Sequence, residues 1–236
     1  MKADLTVDAS ALPDDIDAVI SCIGAGDLLA ASDDGWNGRW AWGDRSTRQN
    51  AENFEPNAQL VDAAKAAGAK RFVYIGVSSE AEMGFAGPNP GLYTGKRSAA
   101  LAALDAFGDA FTYFGPHAVV ESEDDWRLKA AGSGFVGGLR ALNDAIGGLR
   151  SFGPDYTTKT KLAAPVTADD LALAITAVAT GELAVEPSVR SAGMTVFTKT
   201  RETDQYEIKD MMRHVDGTEA IIALASRARA STSGVA

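Results

Sequence analysis

The stretch Leu60-Val-Asp-Ala-Ala-Lys-Ala-Ala-Gly-Ala-Lys-Arg-Phe-Val-Tyr74 decides the fold, because a helical pattern passes directly into a buried-strand pattern. A helix is predicted from Asn57 to about Ala67, with Pro56 near its first turn and Gly68 as its stop signal. The run Arg71-Phe-Val-Tyr-Ile75 then carries four consecutive apolar residues, which is typical of a strand covered on both faces. A helix and a strand joined this closely indicate part of a βαβ unit.

Further strands and helices alternate on either side of this stretch. An earlier strand is predicted at Asp17-Ala-Val-Ile-Ser-Cys-Ile23, closed by Gly24-Ala-Gly26. A later helix is predicted from Lys96 to Phe107, followed by the strand Phe111-Thr-Tyr-Phe114. Alternation at this spacing predicts an α/β fold with a doubly wound, mainly parallel sheet.

Beyond residue 120 the pattern changes, and a small carboxy-terminal helical lobe is predicted. Its best-marked helix is Leu171–Thr180, opened by the capping sequence Thr167-Ala-Asp-Asp170 and stopped by Gly181. The other predictions here are a helical stripe from Phe135 to Leu149, a short strand at Met194–Lys199, helices at Tyr206–Val215 and Thr218–Ala230, and a tail at Ser231–Ala236.

Composition and charge exclude several classes of function. The 236 residues carry a formal net charge of -10 without a Lys/Arg cluster, so nucleic acid or an anionic membrane surface is not the expected partner. No run approaches the roughly 18 apolar residues of a membrane helix. The single cysteine, Cys22, excludes an internal disulfide and fits a reducing compartment. His117 and His214 lie too far apart in sequence to indicate a metal site, and no secretory signal is visible.

The order of these pieces resembles the extended and atypical short-chain dehydrogenase/reductase families over roughly residues 4 to 180. Asp4-Leu5 is similar to the end of the family's third strand, and Ala18-Val-Ile-Ser-Cys-Ile-Gly24 to its fourth strand and the turn under the cofactor. Asn53 and the opening stretch are similar to the next helix and fifth strand, and Pro165-Val-Thr-Ala-Asp-Asp-Leu-Ala172 to the start of a late helix.

The resemblance implies a Rossmann-type domain that binds NAD or NADP, the choice between them being open. Residues 1–120 would form a partial cofactor-binding core, and residues 121–230 a helical lobe on the substrate side that completes the same domain. The relatives that it resembles include the NAD(P)H-binding accessory subunit of respiratory complex I, reductase-like proteins associated with ubiquinone synthesis, and NmrA-like proteins. They favour an organelle, mitochondrion or plastid, over the cytosol.

The family's glycine-rich phosphate turn does not open a first strand–helix unit in this sequence. The resemblance therefore implies that two strands, roughly 60 residues at about 30 per unit, belong before the recorded start. In the strand order 3-2-1-4-5-6 they would separate strands three and four. The alternative is a shortened domain that closes differently.

The family's chemistry needs a tyrosine whose pKa is lowered by a lysine four residues later, with a serine that orients the carbonyl. Here Lys96 fits the lysine, but Leu92 stands four residues before it and Tyr93 only three. The resemblance makes Ser79, Tyr93 and Lys96 the candidate catalytic residues. The alternative is a decayed pair, with Tyr93 a surface residue at a helix start.

Cofactor contacts are expected at the carboxyl ends of the strands, where doubly wound sheets bind ligands. After the sixth strand, Gly115-Pro-His117 stands where relatives carry Arg-Pro-Gly. Structural roles are open for several of these residues: Cys22 as a small buried apolar residue, Asn53 in a loop, and His117 as a loop histidine. The candidate cofactor residues are Asp4, Leu5, Cys22, Ile23, Gly24, Asn53, Ser78, Lys96, Pro116 and His117.

A long loop is predicted at Gly24–Asn50, holding Trp36, Trp40 and Trp42. It is interpreted as a lid over an apolar substrate such as a quinone or lipid, as an aromatic anchor for a partner protein, or as a segment that packs on its own domain.

Three functions follow from these features. The first is a cofactor-binding reductase-like protein, with a small apolar carbonyl or quinone-like substrate. The second is a non-catalytic accessory or assembly subunit of an organellar complex. The third is an NmrA-like redox sensor that binds nucleotide without turnover.

Overall fold

The computed structural model describes residues 12–13, 15–24, 41–79, 81–82, 90–117, 119–121, 165–197 and 203–232. The helices are α1 (Ala41–Ala66), α2 (Pro90–Phe107), α3 (Ala168–Thr180) and α4 (Thr218–Thr232), with a short 3-10 turn at Gly108–Ala110. The strands are β1 (Ala18–Ser21), β2 (Arg71–Ile75), β3 (Phe111–Gly115), β4 (Val119–Val120), β5 (Val166–Thr167), β6 (Pro187–Phe197) and β7 (Thr203–Asp216).

Five strands form one sheet in the order β1-β2-β3-β7-β6. The first four are mutually parallel, with Val19 opposite Phe72 and Tyr74 opposite Tyr113, whereas β6 pairs antiparallel with β7. A separate pair, β4 and β5, is also parallel. The prediction of an α/β fold with a mainly parallel sheet is confirmed.

Within the described residues, two helices cover each face of the sheet. On one face α1 and α2 pack against Phe72, Tyr74 and Phe111. On the other face α3 and α4 pack against Val73 and Phe114. Because neighbouring residues of β2 enter opposite cores, the strand must be apolar throughout, as its sequence predicted.

The prediction of a helix at Tyr206–Val215 is wrong, because these residues belong to β7. Met212 faces the core under α1 and α2, whereas Val215 faces the core under α3 and α4. Their three-residue separation therefore arises from a strand buried on both faces, although it equally matches one face of a helix. The carboxy-terminal part adds two long strands to the main sheet, alongside its helices.

The prediction of a loop over Gly24–Asn50 is wrong for residues 41–50, which begin α1. Pro56 lies inside this 26-residue helix rather than in its first turn. An internal proline removes a helical hydrogen bond. Side-chain amides donate nearby: Asn53 Nδ2 to the carbonyl of Gln49 at 2.7 Å, and Asn57 Nδ2 to that of Asn53 at 2.8 Å. Helix α2 likewise begins earlier than predicted, at Pro90.

The predicted start and end of α3 are confirmed. Thr167 Oγ1 accepts a hydrogen bond from the backbone N–H of Asp170 at 3.1 Å, and Gly181 closes the helix with φ +81°. The helix at Thr218 is also confirmed, but it runs to Thr232, so the predicted tail is wrong for Ser231 and Thr232. Strand β6 includes most of the predicted strand Met194–Lys199.

Several predictions lie outside the described residues: the stripe Phe135–Leu149, the pair Asp4-Leu5, and Trp36 with Trp40. Among the residues that the structure describes, no helix has the length and apolar character needed to cross a membrane.

Candidate functional site

The ends of the four parallel strands share one edge of the sheet. Residues 22–24 follow β1, residues 77–79 follow β2, residues 116–117 follow β3, and Asp216 ends β7. Most of the predicted site residues are therefore carried to this edge, where ligands of parallel sheets bind.

The carboxyl end of β1 is held by Asn57 of α1. The Ser21 hydroxyl donates to Asn57 Oδ1 at 2.5 Å, and Asn57 Nδ2 donates to the carbonyl of Ile23 at 3.2 Å. Ser21 and Asn57 are both about 1% exposed, so these hydrogen bonds are shielded from water. Cys22 is exposed, and the expectation that it is a small buried residue is wrong. It follows β1 on the turn that Asn57 fixes.

Lys96 and Asn53 converge on Gly24. The position where a Gly24 Cβ would stand is 2.5 Å from Lys96 Nζ and 3.2 Å from Asn53 Oδ1. Asn53 is fully buried in α1 rather than placed in a loop, and its Oδ1 has no hydrogen-bond partner among the described residues. Burial lowers the pKa of Lys96. This edge of the sheet therefore carries two polar groups next to Gly24: the Lys96 ammonium and the buried Asn53 oxygen, which has no partner among the described residues.

The carboxyl end of β2 is held by Tyr113. Its hydroxyl donates to the carbonyl of Val77 at 2.7 Å and accepts from the Val77 N–H at 2.8 Å. A Cβ on Gly76 would stand 2.1 Å from this hydroxyl oxygen, so only glycine leaves room for the contact.

The two candidate serines have different partners. Ser78 is 1% exposed, and its Oγ lies 3.0 Å from His117 Nδ1, while its N–H donates to the carbonyl of Pro116 at 3.1 Å. Ser79 donates from its N–H to Asp216 Oδ1 at 3.0 Å, and its hydroxyl donates to the same carboxylate. Burial lowers the pKa of His117, although Asp216 opposes this shift. Ser78 is positioned to hold the turn, whereas the half-buried Ser79 lies closer to solvent.

Tyr93 does not have the lowered pKa that the family's chemistry requires of its tyrosine. Tyr93 is 3% exposed, so it is not a surface residue. Burial raises its pKa, and the negative charge of Glu82 and the neighbouring Tyr113 raise it further. A lysine-activated tyrosine needs the opposite shift. The Lys96 ammonium instead lies against Gly24.

A charged crevice lies between α2 and the strands β3, β6 and β7. It is lined by Glu82, Tyr93, Lys96, Arg97, Arg190 and Asp210, with Tyr113 and Met212 on its walls. Its total space is about 270 Å³ including open solvent, and the enclosed part has room for roughly one water molecule.

Sequence reasoning missed the residues that organise this edge, of which Asn57, Asp216, Glu82 and Arg190 are the clearest. Asn57 carried a usable signal, because asparagine has low helix propensity and stands here one turn after another asparagine. Asp216 and Arg190 gave none, since their partners lie 137 and 108 residues away in sequence.

The predicted cofactor residues Asp4 and Leu5 lie outside the described part of the chain. So does the sequence Gly132-Ser-Gly-Phe-Val-Gly137, which has the spacing G-x-G-x-x-G. Within the described ranges, no group of three His, Cys, Asp or Glu side chains is placed to hold a metal ion.

Comparison with known proteins identifies no relative: no protein-family model matches this chain, and no curated protein matches its sequence. The resemblance to short-chain dehydrogenases/reductases stays a prediction, and the case for a function rests on the residues of the sheet edge.

Proposed function

We propose that this chain binds NAD or NADP at the carboxyl ends of its parallel strands, as an atypical short-chain dehydrogenase/reductase-like protein of Rossmann type. In this proposal β1, β2 and β3 correspond to the family's fourth, fifth and sixth strands. The resemblance makes Lys96 and the turns after these strands cofactor contacts, and in this proposal they hold the nicotinamide-ribose end of the cofactor.

The convergence of Lys96 and Asn53 on Gly24 carries the proposal. A buried acceptor without a donor costs about 1–3 kcal/mol, so a ligand that supplies a donor to Asn53 Oδ1 gains that amount. A ribose hydroxyl can donate to the Asn53 oxygen and accept from the Lys96 ammonium at the same time. The missing side chain of Gly24 is what leaves room for the Lys96 ammonium beside the Asn53 oxygen.

When bound, the nicotinamide supplies hydride chemistry. The chain's own residues would hold the ribose through Lys96 and Asn53, and fix the neighbouring turn through Ser79 and Asp216. Tyr93, with its raised pKa, is a weak proton donor at neutral pH. The raised pKa of Tyr93 therefore supports nucleotide binding over efficient turnover.

Calorimetric titration with NADPH and with NADH tests the proposal. Lys96→Gln is expected to weaken binding by about tenfold or more, since a charged hydrogen bond contributes about 1.5–3 kcal/mol. Lys70→Gln is the matched control, because Lys70 pairs with Asp17 on the surface and is 71% exposed. Absence of heat with both nucleotides for the unmodified protein would refute the proposal, as would equal losses in the two variants.

A second candidate is a non-catalytic accessory or assembly subunit of an organellar complex, in a mitochondrion or plastid. Its support is an exposed apolar pair on the hairpin of β6 and β7: Val189 is 51% exposed, Met211 is 62% exposed, and they are partners in the register. The high pKa of Tyr93 also fits a protein without turnover. A stable monomer that reduces a carbonyl or quinone, with activity lost in Tyr93→Phe, would exclude this candidate. Nucleotide binding without turnover and without a complex would instead match the NmrA-like sensor.

A further inference from the structure

The charged crevice has an excess of positive charge. Lys96, Arg97 and Arg190 face it, against the carboxylates of Glu82 and Asp210. The protein as a whole carries a net charge of -10, so this local excess runs against the composition of the chain. A crevice that concentrates cations in an acidic protein favours a ligand of negative charge.

The two carboxylates are already paired. Arg190 Nη2 lies 3.0 Å from Glu82 Oε2, with the side chains 4% and 3% exposed. Arg97 Nη2 contacts both carboxylate oxygens of Asp210, at 3.1 Å and 2.9 Å, with the side chains 18% and 17% exposed. Lys96 has no ion pair among the described residues. One positive charge at the border of the crevice, that of Lys96, is therefore not neutralised by a described carboxylate.

Two donors on residues that line the crevice are unused. The Nε–H groups of Arg97 and Arg190 are buried without a hydrogen-bond partner among the described residues. Arg190 also donates to the Val77 carbonyl at 2.9 Å and lies over the ring of Tyr113, 4.2 Å from its centroid. These contacts fix the Arg190 guanidinium, so its Nε–H cannot turn towards solvent unless they are broken. An acceptor that enters the crevice is the direct way to satisfy it.

We propose that this crevice binds the carboxylate group of a small organic acid. The enclosed part has room for one oxygen, and the open part accommodates the second oxygen and the remainder of the acid. The Arg190–Glu82 pair is almost fully enclosed, whereas the Arg97–Asp210 pair is only half-buried. We therefore expect the Arg97–Asp210 side chains to be the ones that move when the ligand binds.

The location of the crevice gives this acid a role. Lys96 borders the crevice while its ammonium lies against Gly24, so the carboxylate would lie next to the proposed nicotinamide-ribose position. With the nucleotide bound as in the proposed function, on which this step rests, the acid in the crevice is the substrate: a small oxo- or hydroxy-acid. It departs from the apolar carbonyl or quinone expected from the sequence, because such a neutral ligand brings no negative charge to the excess of cations around the crevice.

Titration of nucleotide-free protein with acetate tests the site by itself, with acetamide as the neutral probe of similar shape. Acetate is expected to shift the arginine Nε–H signals in nitrogen-15 NMR spectra in a saturable manner, whereas acetamide does not. In the double variant Arg97→Gln/Asp210→Asn, which removes one charge of each sign, the affinity for acetate is expected to fall by about tenfold or more. The control is Arg48→Gln/Glu52→Gln, an exposed ion pair on α1 with N–O separation 3.8 Å.

Equal binding of acetate and acetamide overturns the inference, and so does the same loss of affinity in the control double variant or the absence of a saturable shift. NADPH binding without acetate binding removes the carboxylate site and leaves the proposed function standing. Acetate binding without binding of either nucleotide keeps the carboxylate site and refutes the proposed function.

Discussion

At the scale of single residues, the hydroxyl of Tyr113 organises the carboxyl end of β2. It donates to the Val77 carbonyl, accepts from the Val77 N–H, and accepts from Arg190 at 3.2 Å. Tyr113→Phe leaves these buried groups without their partner, and we expect the free energy of unfolding to fall by about 1–3 kcal/mol. Urea denaturation followed by circular dichroism measures the change.

Tyr74 provides the matched control for this prediction. Its ring packs against that of Tyr113 with centroids 5.9 Å apart, but its buried hydroxyl has no hydrogen-bond partner among the described residues. Tyr74→Phe is therefore expected to leave the stability unchanged or raise it slightly. A loss in Tyr74→Phe as large as that in Tyr113→Phe would show that the ring environment, rather than the hydrogen bonds, sets the effect.

The candidate site illustrates what single residues reveal in sequence. Residues next to a strand end, such as Gly24, Ser79 and His117, could be predicted to share an edge, because their positions follow from the strands. Tyr93 is in the expected segment, yet its pKa is raised first by burial and then by the charge of Glu82, and no local pattern encodes either. Asp216 could not be anticipated, since it ends a strand that was predicted as a helix.

At the scale of elements, the contact of α1 with α2 positions the two residues that carry the proposed function, Asn53 and Lys96. Gly95 allows this contact: a Cβ there would stand 2.6 Å from the carbonyl oxygen of Asn50 and 2.9 Å from Asn53 Cβ. The Asn50 carbonyl oxygen belongs to the backbone of α1, so the two helices must separate to make room for a Cβ on Gly95.

Gly95→Ala is accordingly expected to destabilise the protein by about 1–3 kcal/mol, despite the better helix propensity of alanine. It should also weaken NADPH binding, because Asn53 moves with the helix. Thermal unfolding and calorimetry measure the two effects. Thr94→Ala, at an exposed position of the same helix, is expected to change stability by less than about 0.5 kcal/mol.

Elements with a clear local pattern could be predicted, and those decided by distant contacts could not. The strands β2 and β3 are almost wholly apolar and bounded by glycine, and the caps of α3 are local. The true start of α1 could not be predicted, because a proline such as Pro56 is typical of the first turn of a helix. Side-chain amides that donate to backbone carbonyls accompany the proline in the folded helix. The strand β7 was missed because pairing with β3 and β6 overrides an ambiguous apolar spacing.

At the scale of the whole molecule, the Arg190–Glu82 pair joins the β6–β7 hairpin to the segment after β2. Burial raises the pKa of Glu82 and the Arg190 charge opposes that shift, so the carboxylate depends on its partner. Arg190→Leu leaves Glu82 buried without a cation, and we expect a loss of about 3–5 kcal/mol in the free energy of unfolding.

The double variant Arg190→Leu/Glu82→Leu removes both charges and is expected to be more stable than Arg190→Leu alone. Urea unfolding of the wild type, both single variants and the double variant gives the coupling free energy. The exposed pair Arg48–Glu52, changed in the same way, should show coupling of only about 0.3–0.5 kcal/mol. If the two pairs gave similar coupling free energies, the strength of the Arg190–Glu82 ion pair would not depend on its burial.

The pairing of β3 with β7 also governs the order in which the chain assembles. Thr112 and Arg213 are partners in the register, although they stand about 100 residues apart along the chain. Partners in β1, β2 and β3 are much closer in sequence, so entropy favours their pairing first. Until the hairpin arrives, β3 exposes a free edge of hydrogen-bonding groups beside Phe114, and this interval is when the nascent protein is most open to aggregation.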